Sequence, residues 1–237
     1  HIASYRDQRL SKVSQGSVRR EMAILQHCMG IAHREWQLIA TNPMAGVTKP
    51  TDNLPRSRRP TEAELRSIAA LLLTLRNPLA KHVFRFALAT GMRRSEVLLL
   101  EWRHVDWQNK TAFLPTTKNG EKRTVPLSPE ALDVLKQCAD PSQGVSDAAQ
   151  IPRSGTVFPI SANAMRLAWD RMKRRANIKD LRFHDLRHEA ISRFFEMGLS
   201  VPEVALISGH KDIRMLFRYT HLRAEDIAKK LEAPQAT

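Results

Sequence analysis

Long apolar runs, cysteines and aromatic residues are all scarce in this 237-residue sequence. The longest nearly apolar stretch, Ala69–Leu75, is far shorter than the roughly 20 residues that a membrane-spanning helix needs. Cys28 and Cys138 are too few for a disulfide scaffold or a four-cysteine zinc site. Aromatic residues make up 6% of the chain, which argues against modules that stack single-stranded bases. No secretory signal opens the chain, so we expect a soluble cytosolic protein, and the start at His1 predicts a fragment or a processed chain.

Acidic residues are also in short supply: 24 Asp and Glu stand against 38 Lys and Arg, a formal net charge of +14. The excess is concentrated in residues 1–60, with ten basic and four acidic side chains, and in residues 166–187, with eight and three. Basic side chains that neutralise phosphates release condensed counterions and gain affinity. The charge therefore favours a nucleic acid partner, and it does not by itself distinguish DNA from RNA.

The chain divides at a basic, proline-rich segment. Residues 17–40 place apolar side chains at three- and four-residue spacing, which predicts an amphipathic helix that ends at Asn42-Pro43. Residues 49–60 contain three prolines and four basic residues, so they cannot continue a helix. We interpret residues 1–48 as a helical domain, 49–60 as a linker and 61–237 as a second domain.

The second domain is predicted to be mainly α-helical with a small three-stranded antiparallel sheet, an α+β class. Thr61 and Glu64 form a capping box that begins a helix through Leu75, and Asn119-Gly120 predicts a two-residue hairpin turn. Residues 139–155 are predicted to form a surface loop. Further helices are expected at 78–90, 129–138, 161–176, 184–197, 201–208, 212–219 and 224–232, and strands at 104–107, 111–115 and 123–127.

Two arginine-containing motifs are candidates for binding a phosphate. His184 and Arg187 share one face of a predicted helix, where an imidazole beside a guanidinium suits phosphate binding and proton transfer. A solvated helix face or a salt bridge to Asp185 explains that motif equally well. Arg93 follows a glycine at a helix break, where Glu96 can orient it, although an ordinary surface pair is an equal alternative.

Tyr219 is a candidate nucleophile, because the only other tyrosine, Tyr5, lies in the first domain. A phenol with a pKa of about 10 is a weak nucleophile, and two arginines around a target phosphate would favour the phenolate. A half-buried helix residue with a hydrated hydroxyl is the alternative. Lys118 precedes the predicted turn and can reach into a DNA groove, with Lys122 as its substitute; a solubilising turn lysine is the simpler explanation.

Together these motifs resemble the tyrosine recombinase, or phage integrase, family in both order and content. The resemblance covers essentially all of residues 61–237, and residues 1–50 look like the second half of the family's helical core-binding domain. The matching motifs are Arg93 in T-G-M-R-R-S-E, Lys118 in T-K-N-G-E-K-R-T-V-P-L, His184 and Arg187 in H-D-L-R-H, His210 in I-S-G-H and Tyr219 in R-Y-T-H.

The resemblance implies that Tyr219 attacks a DNA phosphodiester, giving a 3′-phosphotyrosine and a free 5′-hydroxyl that later attacks back. Arg93 and Arg187 would then hold the non-bridging oxygens, and His210 would donate a hydrogen bond to the same phosphate. Bond energy is conserved in this exchange, so no cofactor is implied. No metal is implied either, because two guanidinium groups supply the positive charge.

Three further roles follow from the resemblance: Lys118 would protonate the leaving 5′-oxygen, His184 would help to manage the tyrosine proton, and Glu96 would support the site from behind. Basic side chains near these motifs are expected to contact DNA. They are Arg56, Arg58, Arg59, Arg94, Lys122, Arg166, Lys173 and Arg174.

The resemblance also implies partners. Core-binding and catalytic domains of the family clamp duplex DNA, joined by a linker like residues 49–60. Residues 224–231 resemble the C-terminal helix that family members exchange between protomers, giving a tetramer on recombining DNA, although packing back onto the same chain is equally consistent. A bacterial or phage-encoded cytoplasmic enzyme that integrates or excises a mobile element is expected.

Three other functions compete with this one. His184 and His188 have the i, i+4 spacing of a metal-binding helix, but Asp185 replaces the catalytic Glu of zinc hydrolases and no third ligand is evident. Residues 201–220 permit a helix-turn-helix regulator that only binds DNA. A type IB topoisomerase would use a similar site to relax supercoils.

Overall fold

The computed structural model describes residues 1–53, 56, 58–75, 77–116, 120, 122–139 and 154–220. Helices dominate and one antiparallel sheet of three strands is present, which confirms the predicted fold class. The chain divides into two compact units, residues 1–56 and 57–237. The described helices are α1 (Ile2–Leu10), α2 (Gln15–Arg34), α3 (Glu62–Leu73), α4 (Leu79–Thr90), α5 (Arg94–Leu98), α6 (Pro129–Ala139), α7 (Ala162–Arg175), α8 (Asp185–Glu196) and α9 (Val201–Ser208).

The first unit is built on α1 and α2, whose buried side chains include Val18 and Met22. The predicted helix over 17–40 is wrong at its C-terminal end, because α2 stops at Arg34. Gln37 has a positive φ of 53°, which an α-helix cannot contain. Trp36 is 59% exposed, so the apolar periodicity that continues past Arg34 buries little there. Helix α1 was not predicted, and none of its residues is buried.

The second unit begins at the predicted capping box. The Thr61 side chain accepts a hydrogen bond from the Glu64 amide, while Glu64 accepts one from the Thr61 amide, and α3 follows. Helix α4 contacts both α6 and α8, and it ends at Gly91, which adopts the left-handed conformation with φ 62°. A β-carbon there would lie 3.2 Å from the Phe194 ring, so this glycine also permits the close approach of α8.

The sheet has strands β1 (Val105–Asp106), β2 (Thr111–Leu114) and β3 (Arg123–Pro126) in that order, all antiparallel. The predicted turn at Asn119-Gly120 falls partly outside the described residues; the last described pair of the register is Leu114 opposite Arg123, and eight residues connect them. Pro115 follows directly and has no amide hydrogen to continue the ladder. A 3₁₀ turn, Trp102–His104, precedes β1.

The last described elements place the remaining motif residues. Gly209 ends α9 in the left-handed conformation with φ 67°, and the predicted helix at 212–219 is a 3₁₀ helix, Ile213–Tyr219. The predicted helix at 224–232 and most of the predicted 139–155 loop lie outside the described residues. Among the helices that are described, none has the length and apolar character that crossing a membrane requires.

Candidate active site

A cavity of about 760 Å³ opens between the N-terminal end of α5, α8 and the C-terminal end of α9. Five residues that the sequence motifs singled out line it together, although they are separated by more than 120 positions along the chain. They are Arg93, His184, Arg187, His210 and Tyr219. The spatial convergence on which the sequence interpretation depends is therefore present.

Arg187 is the most deeply buried cation of the cavity. Its Nη1 donates to the Gly91 carbonyl and its Nη2 to the Ser208 carbonyl, each at 2.6 Å. These two bonds fix the guanidinium between the ends of α4 and α9. Burial, followed by the nearby charge of Arg93, lowers the pKa of Arg187 to about 9, and the carboxylate of Glu96 partly opposes that fall.

Arg93 is held by Glu96, as the motif predicted. The Arg93 amide and Nη1 each donate to the Glu96 carboxylate at 2.8 Å. Arg123 on β3 donates to both oxygens of the same carboxylate, at 3.0 and 2.8 Å. Burial raises the pKa of Glu96, but the bonds from Arg123 and the Arg93 amide outweigh that effect, so the net pKa is below its usual value.

Arg123 is a site residue that the sequence analysis missed. Its side chain is 11% exposed, and among the described residues its Nε has no hydrogen-bond partner. Gly209 lies against it, since a β-carbon there would come within 2.6 Å of Nη1. Arg123 therefore connects the sheet to both Glu96 and the end of α9. Nothing in the sequence distinguishes Arg123 from the other Lys and Arg residues, 38 in all, as a partner of Glu96.

His210 is oriented from behind by a hydroxyl. Its Nδ1 lies 2.7 Å from Ser208 Oγ, which also lies 2.6 Å from the Val204 carbonyl, and the single hydroxyl hydrogen can be donated to only one of these two acceptors. Burial, followed by the charges of Arg187 and Arg93, lowers the pKa of His210 to about 4. The imidazole is therefore neutral near pH 7, and its Nε2 is free to carry the hydrogen if Nδ1 accepts.

Tyr219 is 6% exposed, and its ring packs against Ile191 and Leu216. Its phenolic oxygen accepts a hydrogen bond from Arg218 Nη2 at 2.8 Å and forms a second, short one with His188 Nδ1. Burial raises the pKa of Tyr219, and Arg218 partly opposes that rise. Both partners were missed: His188 was considered only as a metal ligand, and Arg218 only as a flanking residue.

His184 lies at the N-terminal boundary of α8, and its ring centroid is 5.1 Å from that of His188. Burial and the charge of Arg187 lower its pKa. No hydrogen bond joins His184 to the phenol of Tyr219 within the described part of the chain. The structure thus brings His184 into the cavity and gives the direct contact with Tyr219 to His188.

The other predicted site residues are more scattered. Lys118 lies outside the described residues. Arg94 lines the same cavity, and with Arg166 and Lys173 it also lines an adjoining one of about 190 Å³. Lys122 lines a third cavity, of about 600 Å³, together with His210. The remaining DNA-contact predictions are Arg56, Arg58, Arg59 and Arg174, of which Arg174 is exposed. Arg58 forms a salt bridge with Glu64, and Arg59 forms salt bridges with Glu189 and Glu196.

The competing functions find little support in this geometry. Within the described residues, no three His, Cys, Asp or Glu side chains are grouped as a metal site. The second element of the helix-turn-helix alternative is the 3₁₀ helix, whose Leu216 and Tyr219 are buried rather than presented to a DNA groove.

A comparison with protein families decides the identity. Residues 59–226 match the model of the phage integrase family. This chain belongs to the phage integrase family. An Escherichia coli relative, the shufflon-specific DNA recombinase, is 42% identical over 241 residues, which cover 98% of this chain and 60% of the relative. The integrase of Salmonella phage P22 is 32% identical over 85% of this chain and 52% of its own length. This integrase-family chain thus spans little more than half the length of these two relatives.

Solved structures of integrases share the fold. The Tn1549 transposon integrase in complex with circular intermediate DNA superposes with a TM-score of 0.75 at 17% identity, covering 98% of this chain and 84% of that one. A lambda integrase dimer bound to a COC′ core site gives 0.73 at 19% identity, over 92% and 63%. The two relatives therefore share sequence with this chain, and the two solved integrases share its fold.

Proposed function

We propose that this protein is a site-specific DNA recombinase that cuts and rejoins duplex DNA through a 3′-phosphotyrosine intermediate, to integrate or excise a mobile element. The observation that carries the proposal is the shared cavity: the Tyr219 phenol opens onto the same space as the guanidinium groups of Arg93 and Arg187. A nucleophile and two cations in one pocket suit attack on a phosphodiester, because charge grows on the phosphoryl oxygens in the transition state.

The proposed division of labour follows the contacts. Arg93 and Arg187 bind the non-bridging oxygens, and both are fixed in advance by their hydrogen bonds, so little reorganisation is needed. His210 donates a hydrogen bond to the same phosphate from Nε2, in the arrangement in which the Ser208 hydroxyl donates to Nδ1 rather than to the Val204 carbonyl. Glu96 positions Arg93. Lys118 is proposed to protonate the leaving 5′-oxygen.

The nucleophile is proposed to act within its own chain. Tyr219 is already buried in the cavity of the chain that carries it, beside Arg218 and His188. Energy of the broken phosphodiester is kept in the phosphotyrosine, so the later attack by a 5′-hydroxyl needs no nucleotide cofactor. The positive charge of the site is that of its own side chains.

We further propose the partners and organisation expected from the sequence. Duplex DNA is the substrate, and it is contacted by Arg94, Arg166 and Lys173 around the two adjoining cavities. The solved structures of the Tn1549 and lambda integrases support this, since both are complexes with DNA. Residues 1–48 serve as the core-binding domain, 49–60 as the linker and 61–237 as the catalytic domain of a bacterial or phage cytoplasmic enzyme. Protomers assemble through the C-terminal helix.

Tyrosine substitution tests the proposal directly, because the chain has only two tyrosines. The wild-type protein is incubated with supercoiled plasmid and quenched with detergent, and DNA bound covalently to protein is recovered and sequenced. We expect a covalent adduct that Tyr219→Phe abolishes and that the matched control Tyr5→Phe retains. Tyr5 lies in the first unit, where its hydroxyl donates to Glu21.

Two results would contradict the proposal. A Tyr219→Phe protein that still forms the adduct would remove the assigned nucleophile. Relaxation of the plasmid without strand joining between two duplexes that carry the recovered site would favour the topoisomerase alternative instead.

A further inference from the structure

Two side chains hold the reactive oxygen of Tyr219, and only one of them can accept a proton. Arg218 approaches with Nη2 at 2.8 Å, and its guanidinium carbon lies 4.8 Å from the centre of the Tyr219 ring. A guanidinium is a donor only. The phenolic oxygen therefore accepts from Arg218, and its own hydrogen is available for the other contact, with His188 Nδ1.

His188 is fixed in the orientation that this contact requires. It follows His184 by one turn of α8, so both rings lie on the face that lines the cavity. The His188 ring stacks on the Tyr219 ring at 5.6 Å between centroids and 28° between planes. Both residues are buried, and Ile191 packs against the tyrosine from the next turn of the same helix.

The charge state of His188 also fits an acceptor. Burial, together with the charges of His184 and Arg218, lowers the pKa of His188 to about 4. The ring is therefore neutral near pH 7, and the tautomer with its hydrogen on Nε2 presents a lone pair on Nδ1 to the phenol. A DNA phosphate entering the cavity brings a negative charge, and a negative charge nearby favours the protonated ring. Substrate binding thus raises the basicity of His188 at the step where a base is needed.

We infer that His188 is the catalytic base that takes the phenolic proton of Tyr219 during attack, a role that the family resemblance gives to His184. The inference rests on the proposed function. In the step, the O–H bond of Tyr219 breaks and its hydrogen moves to His188 Nδ1 while the phenolic oxygen bonds to phosphorus. The bond from phosphorus to the 5′-oxygen breaks, and that oxygen takes a proton from the general acid, proposed to be Lys118. Rejoining returns the proton from His188 to the phenolic oxygen.

His184 is left with a different task in this scheme. Its ring meets that of His188 edge to face at 83°, which places it beside the base. His184 therefore acts as a positioning residue for His188 and as part of the cavity wall.

Matched asparagine variants of the two histidines provide the test. The DNA sequence recovered from covalent adducts of the wild-type protein is built into a nicked duplex, and adduct formation is timed with protein in excess. Asparagine keeps a hydrogen-bonding group near the Nδ1 position but cannot take up a proton. We expect His188→Asn to slow adduct formation by roughly 10²–10⁴-fold, the usual contribution of a general base, with DNA binding unchanged. His184→Asn is expected to lose less.

A second duplex separates the two ends of the reaction. Replacing the bridging 5′-oxygen by sulfur gives a leaving group that needs no protonation. The defect of His188→Asn should persist on this duplex, whereas the defect of a Lys118→Ala variant should largely disappear. Imidazole added to His188→Ala should restore adduct formation, because the deleted ring lines the cavity, and this rescue shows that a base rather than the fold was lost.

The experiment distinguishes failure of the inference about His188 from failure of the proposed function. If the wild-type protein forms no adduct, the recombinase proposal itself fails. If the wild type forms the adduct and His188→Asn does so within about threefold of its rate, only the inference about His188 is wrong. A His188→Asn defect that the sulfur duplex corrects would also overturn it, because His188 would then act on the leaving group.

Discussion

The two faces of helix α8 differ in how their charged side chains are paired. On the cavity face, Arg187 bonds two backbone carbonyls, and no carboxylate contacts its guanidinium among the described residues. On the opposite face, Glu189 is bonded by Arg59 at 2.8 Å and by Arg193 at 2.7 Å, while Arg59 also reaches Glu196. One face is neutralised within the protein, and the other keeps an excess of positive charge.

This difference shows which charges are structural and which await a ligand. A buried cation that lacks a counter-ion costs free energy unless an anion joins it. The lowered pKa of Arg187 is the signature of that cost. Arg93 and Arg123 face the same shortage, because they share the single carboxylate of Glu96. A phosphate in the cavity would supply the missing negative charge.

Among the arginine substitutions, removal of either cavity arginine should produce the largest effect. Arg93→Ala and Arg187→Ala each delete a fixed donor to the phosphate, and losing one such donor typically costs roughly 10²–10³ in rate. DNA binding should remain largely intact, since many other basic side chains contribute to it. Timed adduct formation and a binding titration measure the two quantities, and cleavage at the wild-type rate by either variant would refute the assigned role.

Arg123→Met should have a smaller effect, because Arg123 acts through Glu96 rather than on the phosphate. Methionine keeps an apolar stem but removes both bonds to the carboxylate. We expect adduct formation to slow by about tenfold, a factor that corresponds to roughly 1.4 kcal/mol of barrier. The conservative Arg123→Lys should recover part of the rate. Equal rates for the wild type and Arg123→Met would show that Glu96 positions Arg93 without help from β3.

A substitution on the face of α8 opposite the cavity, where the charges are paired, should instead reduce stability and leave activity unchanged. Glu189→Gln replaces a carboxylate that is 3% exposed and that binds two arginines. Weakening these bonds should reduce the free energy of unfolding by about 1–3 kcal/mol, measured by urea titration. Adduct formation at 25 °C should stay at the wild-type rate. A Glu189→Gln variant with unchanged stability but slowed cleavage would contradict the conclusion that the charges on this face serve stability rather than catalysis.

Local signals in the sequence were enough for most elements and for the five clustered motif residues. The capping box at Thr61 and the helix-ending Gly91 and Gly209 act through their own backbone geometry, so they could be recognised without knowing the fold. The resemblance to the tyrosine recombinase family, which the motifs and their order carry, then predicted which polar residues share a site. The turn at Asn119-Gly120 stays a prediction, because it falls partly outside the described residues.

The residues that were missed depend on contacts between distant parts of the chain. Arg123 is recognisable only once β3 lies beside Glu96, and Arg218 only once its guanidinium turns back onto the neighbouring phenol. His188 was visible as an i, i+4 partner of His184, but that spacing alone does not distinguish a metal ligand from a base. Its contact with Tyr219, 31 positions away, decides between them.

The last prediction is a pH dependence of stability that belongs to the cavity face. Burial lowers the pKa of both His188 and His210 to about 4, below the usual value of 6.5. Between these two values the unfolded chain binds more protons than the folded protein, so stability is full above about pH 6.5 and falls as the pH drops toward 4. Urea titrations at pH 7 and pH 5 should show this loss, and His210→Asn should show less of it. DNA bound in the cavity should also reduce the loss, because the phosphate favours the protonated rings and raises their pKa. A wild-type protein that is equally stable at both pH values would mean that the two imidazoles are as well solvated as in the unfolded chain.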